Sequence, residues 1–446
     1  MFRLGLTLAG LSACNSVLAI LGPWYVVTSL GVNVQTDAFF ASGALPQFIF
    51  LIISSTLAHI LVPLLATKDE EDFRNDALTS FLAVTAFFSL LALILLIFID
   101  VWVPAFVSGF SAEGKSLAIA LMKIQLISMV LNASIVTLWS SYQARQKFIW
   151  AELSSLIANI LSLLLLIYTL PRFGIKAAAW AVVFNNTLKL IFVLPILGRW
   201  RWPDWNSSTT TETWQRLKPF LPGQIYLKTD PLLDRYLTSM SRAGGLSIFY
   251  LGQQVYAVVN QVLFKAVASP MAPLLAIDAK DGDWKSYRHA YRQRLLLILV
   301  LTVIAGLLLL AIGLPVLHLA IGHGGVTSEN VRTLWLIMLS LIGILIGGAA
   351  LQITSVAFYA MGNTKTPTLL SVITHTVYIP FKVLAFLRYG LTGLAVTMSV
   401  YLVASFLIQL LTLEKTVRRH MPKGHEALTG YQRPTDDALE SPNDLT

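Results

Sequence analysis

Two acids and two bases fall within eight residues of one apolar stretch, "LKPFLPGQIYLKTDPLLDRYLTS": Lys228, Asp230, Asp234 and Arg235. Ionisable groups in apolar surroundings are costly and face a partner or a cavity. A buried acid pair can hold H+ or Na+, and a buried base can hold an anionic group such as a phosphate. At about 100° per residue, Asp230 and Asp234 share one helix face, while Lys228 and Arg235 share another about 130° away. The acids cannot neutralise those bases within one ideal helix, so each set is expected to reach another helix or water. Pro222 and Pro231 each remove a backbone hydrogen bond and predict a kink. A helix broken beside a cavity exposes carbonyls that can serve a substrate or an ion. Further bases in apolar segments are Lys123, Lys189, Lys265 and Lys382. Lys123 is expected to snorkel to the interface. For the others, structural interhelical pairs and a functional cleft both fit.

The elements that must position these groups are membrane helices. Of 446 residues, 56% are hydrophobic and 12% charged, about half the roughly 25% charge content of soluble chains. Mean hydropathy is +0.70. The apolar blocks run about twenty residues, enough to cross a bilayer core of about 30 Å. They are continuous rather than alternating, which argues against a β-barrel. They predict an all-α polytopic membrane protein with twelve spans, at 5–28, 36–66, 78–100, 117–143, 148–170, 175–198, 216–240, 245–276, 293–317, 331–360, 366–387 and 391–414. The second, eighth and tenth are long enough to tilt or to end in an interfacial turn. With the N-terminus in the cytoplasm, inner loops and ends hold twenty Lys and Arg and the outer side six. That asymmetry places both termini inside. The net charge of +9 is then topological, and no soluble domain is left to carry nucleic-acid binding. The basic run from Lys280 to Arg294 also suits anionic headgroups. The polar tail from Lys415 is expected to be disordered and cytoplasmic.

Catalytic and metal chemistry find little support. "LSAC", Leu11 to Cys14, resembles a lipoprotein cleavage box, but the apolar run continues through "NSVLAILGPWYVVTSL", which makes it an uncleaved first span. Cys14 is the only cysteine, so neither an intramolecular disulfide nor a multi-cysteine metal site is available. "GFSAEGKS" (109–116) matches the P-loop pattern. A working P-loop follows a strand and opens a helix, whereas this match follows a membrane span in an outer loop. HExxH and GxSxG motifs are absent. His318 and His323 are spaced wrongly for one helical face, and His375 lies within a span, where it can carry a proton. No cofactor is implied. Energy is expected from an ion gradient, the membrane potential or the substrate gradient.

An internal repeat organises the spans. "RFGIKAAAWA" (172–181) and "RYGLTGLAVT" (388–397) align at an offset of 216, which also places Asn159 on His375. "FF" at 39–40 matches "FY" at 249–250, and "PLLA" at 63–66 matches "PLLA" at 273–276, both at an offset of 210. Six spans are therefore repeated in the same orientation, giving two six-helix lobes around a central cleft, an architecture of transporters. The expected divisions are an N-terminal lobe (1–200), a cytoplasmic linker (201–215), a C-terminal lobe (216–414) and the tail (415–446). Cleft candidates for substrate are Lys228, Arg235, Lys265, Lys382, Gln47, Gln253 and Gln254. Candidates for H+ or Na+ coupling are Asp230, Asp234, Asp37 and His375, with Asp37 near the outer face.

The residues also resemble a known family. "TDAFFASGALPQ" followed by "VPLLA" is similar to the second-helix signature of the lipid II flippase (MurJ/MviN) family, which shares a superfamily with polysaccharide flippases and multidrug/toxin extruders. "FYAMGNTKTPTLLSVI" (358–373), "YGLTGLAVTMSVYLVASFLIQLL" (389–411) and "GGLSIFYLGQQVYAVVNQVLFKAVASPMAPLLA" resemble later segments of the same family. The resemblance covers about 400 residues. It implies a pyrophosphate-reading Arg in the second helix, where this chain has Ala44, and another in the eighth, where it has Gln253 or Gln254. It also implies two helices beyond the twelve expected here. The resemblance leads to an alternating-access flippase for a polyprenyl-pyrophosphate-linked saccharide, either a peptidoglycan precursor or a polysaccharide repeat unit, in the bacterial inner membrane. Expected partners are that lipid-linked glycan, membrane lipids and glycan-assembly enzymes. A cation-coupled multidrug or metabolite extruder, with Asp230 and Asp234 binding the ion, is the alternative. A non-transporting scaffold in a glycan-assembly complex is a third reading.

Overall fold

The computed structural model describes residues 2–198, 203 and 208–421. Among these residues every regular element is a helix. The N-terminal half contains α1 (Phe2–Leu30), α2 (Val34–Ser42), α3 (Ala44–Ala66), α4 (Glu70–Ile97), α5 (Ile99–Phe106), α6 (Ala112–Ala144), α7 (Phe148–Phe173) and α8 (Ile175–Val193). The C-terminal half contains α9 (Ser208–Lys228), α10 (Asp230–Ser239), α11 (Gly245–Leu263), a π turn (Phe264–Ala268), α12 (Ser269–Asp281), α13 (Trp284–Ile321), α14 (Ser328–Ser340), α15 (Ile342–Ala360) and α16 (Lys365–His420). Eight helical stretches are long and apolar enough to cross a membrane, and α11 with α12, bent by 40° at the π turn, forms a ninth broken span. Helix α16 contains a break at Gly390; α2 with α3 and α9 with α10 occupy the expected second and seventh spans.

Several boundaries differ from the hydropathy blocks. α4 and α13 begin at Glu70 and Trp284 rather than at 78 and 293, because Asp69 and Asp283 cap them, accepting from Asp72 N at 2.8 Å and Ser286 N at 2.9 Å. Hydropathy marks where a helix enters lipid, and capping marks where it starts. The helix α9 begins at Ser208, inside the expected linker, of which 201, 202 and 204–207 lie outside the described residues. The first residues of the tail expected from Lys415 are helical instead, since α16 continues to His420. Residues 422–446 lie outside those described. The P-loop-like "GFSAEGKS" is the capped start of α6, where Ser111 accepts from Gly114 N at 3.2 Å.

The repeat is written into the backbone. Gly174 (φ 61°, ψ −153°) ends α7, and its counterpart at offset 216, Gly390 (φ 60°, ψ −142°), breaks α16 in the same way. This conformation is open essentially only to glycine, and it turns one span sharply into the next. Gln146 (φ 56°) and Gly362 (φ 76°) are likewise paired at that offset. Where the lobes meet, positions related by the offset of 210 touch each other. Phe40 stacks on Tyr250 with centroids 4.5 Å apart, and Asp37 accepts a hydrogen bond from Ser247 Oγ at 2.6 Å. Contact between equivalent positions is what a two-fold axis through the interface produces.

Candidate functional site

In the N-terminal lobe, α1, α3, α6, α7 and α8 surround a chamber of about 390 Å³ that reaches the lobe interface, where Tyr250 and Gln254 of α11 complete its wall. Its polar lining is amide and hydroxyl: Gln47, Gln125, Asn132, Asn159, Ser162 and Asn185. Among the described lining residues Lys189 is the only charged one. It makes no ion pair or hydrogen bond with a described residue. Lys189 stands one turn beyond Asn185 on α8, so both side chains reach the same cavity.

The amides form a ladder. Asn185 Nδ2 donates to Asn159 Oδ1 at 2.9 Å, and Asn159 Nδ2 donates to Asn15 Oδ1 at 3.0 Å. Asn15 Nδ2 donates to the Glu152 carboxylate at 3.1 Å, which also accepts from Ser12 Oγ at 3.0 Å. Polar groups in a bilayer persist when they satisfy one another across helices. Glu152 is thus a satisfied acceptor, and Lys189 is left to carry the chamber's charge.

The C-terminal lobe places different chemistry at the equivalent positions. At offset 216, Asn159, Ser162, Leu166 and Asn185 become His375, Tyr378, Lys382 and Tyr401. The larger side chains pack on each other. Tyr378 stacks on Tyr401 with centroids 4.1 Å apart, and His375 lies 5.4, 6.1 and 6.0 Å from Tyr226, Tyr378 and Tyr401. His375 is 2% exposed, and its Nε2 has no partner. Lys382, 0% exposed, places Nζ 2.6 Å from Asp230 Oδ1 and 2.6 Å from Asp234 Oδ1. Gln253 Nε2 donates to Asp234 Oδ2 at 2.8 Å, and its Oε1 accepts from Arg235 Nη1 at 3.4 Å. The Arg235 guanidinium lies over the Tyr250 ring, 4.5 Å from its centroid, a cation–π arrangement. Two acids and two bases are therefore joined into one buried cluster with no net charge. The acids reach across from α10 to α16, which is possible because the seventh span breaks at Thr229 and restarts with Asp230 in its first turn.

The sequence model of the family described as "Lipid II flippase MurJ" matches residues 26–431. The chain belongs to that family. A probable lipid II flippase MurJ from Buchnera aphidicola is 23% identical over 419 residues, covering 88% of this chain and 80% of the relative. The counterpart from Vibrio cholerae is 20% identical over 421 residues, covering 90% and 80%. Among solved structures, a lipid II flippase MurJ in an inward closed conformation superposes with a TM-score of 0.82 at 18% identity, over 93% of this chain and 90% of that one. An inward-facing multidrug resistance MATE family transporter of the MOP superfamily gives 0.72 at 16% identity, over 93% and 95%. The shared fold is that of a polytopic helical transporter.

Within this MurJ-family frame the remaining candidates fall into place. Asp37 sits at the start of α11 and accepts from Gly244 N at 2.6 Å, Ser247 N at 2.8 Å and Ser247 Oγ, so the carboxylate is fully used as a cap across the lobe interface. Its own helix is fixed by the Asn33–Thr36 capping box. Gln47 and Gln254 line the chamber, and Gln254 Nε2 donates to Ala19 O at 3.0 Å, bridging α11 and α1. Gln253 belongs to the ion cluster instead. Ala44 is buried, while its neighbours Gly43 and Gln47 line the chamber. Lys228, at the end of α9, is half-buried and forms no ion pair with a described residue. Lys265 is exposed on the π turn and is not part of the chamber lining. The amide ladder is the feature that counting charges passes over. Its only sequence signal is the recurrence of Asn within three apolar spans.

Proposed function

We propose that this chain is an alternating-access flippase that moves a polyprenyl-pyrophosphate-linked saccharide of the peptidoglycan-precursor class across the bacterial cytoplasmic membrane, with both termini on the cytoplasmic side. The observation that carries this reading beyond family membership is the single uncompensated cation, Lys189, in a chamber lined by amides and hydroxyls. An ammonium held away from carboxylates attracts phosphate oxygens. Neutral amides and hydroxyls offer donors and acceptors to sugar hydroxyls and peptide groups without selecting charge. The prenyl chain stays in lipid while the head group occupies the chamber. Because α11 closes the wall, the head group touches both lobes, and a ligand biases the equilibrium between two states only through such differential contacts.

The same geometry argues against a cation extruder. A cationic drug needs an uncompensated acid in the cavity, yet Asp230 and Asp234 are held by Lys382, and Asp37 is consumed by three hydrogen bonds. The purified full chain in proteoliposomes, given a fluorescent pyrophosphate-linked saccharide, tests the reading. Lys189→Gln should slow flipping by about tenfold or more, since a hydrogen bond to a charged group contributes roughly 1.5–3 kcal/mol. Lys189→Arg should retain most of the rate. Unchanged flipping by Lys189→Gln would sink the assignment.

A further inference from the structure

We infer that Lys382 is a built-in monovalent cation, standing where an alkali ion would otherwise bind between Asp230 and Asp234, so that this protein's conformational cycle needs no alkali metal. The geometry is that of a filled cation site: one ammonium, wholly buried, in contact with both carboxylates at equal distance. The surroundings are already balanced. Gln253 links Asp234 to Arg235, which brings the cluster to two acids and two bases. A further cation would leave excess positive charge buried in a low-dielectric region, which is strongly unfavourable. The position is also particular to this lobe, because the counterpart of Lys382 at offset 216 is Leu166, which lines the open N-terminal chamber. One lobe thus keeps its chamber for cargo, and the other fills the equivalent place with a tethered charge.

The tether has a mechanical consequence. Asp230 opens α10 directly after the break at Thr229, so Lys382 pins the seventh span at its hinge to α16. A mobile ion in that place would come and go with solution composition, whereas a covalently attached ammonium stays within reach of both carboxylates.

Thermal unfolding of the purified full chain, in NaCl, KCl, LiCl and choline chloride at equal ionic strength, tests the inference without any cargo. Its failure is therefore separable from failure of the flippase reading, on which the conformational cycle rests. The wild-type midpoint should be the same in all four salts. Lys382→Met leaves two carboxylates around a vacated site, and at least one alkali chloride should raise its midpoint over choline by about 3 °C or more, as expected for a ligand that binds only the native state. Alkali-dependent stabilisation of the wild type would overturn the inference, as would a Lys382→Met protein insensitive to all three ions. Should Lys382→Met not fold, the less disruptive Lys382→Gln takes its place in the same four salts: an alkali-raised midpoint supports the inference and an insensitive one overturns it. The wild-type comparison stands by itself.

Discussion

Asp37 shows how a single carboxylate can be removed from the chemistry it suggests. An acid at the mouth of a transporter cleft reads as an ion ligand, yet here two backbone amides and a hydroxyl consume it. It stabilises the start of α11 by satisfying orphan N–H groups and opposing the helix dipole. Asp37→Asn turns one acceptor into a donor facing Gly244 N, and should cost about 1.5–3 kcal/mol, the range for a charged hydrogen bond. The thermal midpoint should fall accordingly; an unchanged midpoint would mean that the tie contributes nothing to stability. Lys382, Asp230 and Asp234 were each visible in the sequence as charges within spans, and helical periodicity already puts the two acids on one face. Their common partner was not visible, because periodicity orders residues within a helix and says nothing about which face of a helix about 150 positions later lies opposite. Lys189 was visible too, but not its isolation, which depends on where every acid goes.

Helix breaks are the main information at the scale of elements. The second span breaks at Gly43, the seventh at Thr229 and the eighth at the π turn; the first lies beside the chamber and the second beside the ion cluster. Proline stands within three residues of each of these breaks, with Pro46 and Pro231 at the first two. Pro270, in the first turn after the π turn, marks the third. The paired breaks at Gly174 and Gly390 impose a sharper demand. A Cβ at either position meets nothing within 4 Å, so any cost of alanine there is backbone strain alone, about 1–3 kcal/mol. Gly174→Ala and Gly390→Ala should each lower the thermal midpoint by similar amounts, and a large difference between them would argue against equivalent turns. Gln146 provides the converse test. It holds a left-handed conformation where its counterpart is Gly362, so Gln146→Gly should stabilise the protein by about 1 kcal/mol, read as a rise in the same midpoint.

At the scale of the whole molecule, the lobes are tied at both ends of their interface. Asp37 joins α2 to α11 at one end, and Asp76 of α4 accepts from Thr209 of α9 at 2.6 Å at the other. Alternating access requires these ties to open in turn around the chamber. The all-helical membrane fold and the repeated turns were legible in the sequence, because bilayer thickness fixes the length of apolar blocks and equivalent turns need equivalent residues. The asymmetry between lobes was not legible, since it arises from neutral amides on one side and from a charge balance closed across helices on the other. The central claim is that the chamber reads pyrophosphate. Its most direct test is the ratio of flipping rates, in the same proteoliposomes, for a polyprenyl-pyrophosphate-linked saccharide and for the same saccharide on a prenyl chain lacking phosphate. The account predicts a ratio of about ten or more, falling towards one in Lys189→Gln; equal rates for the two lipids in the wild type would contradict it.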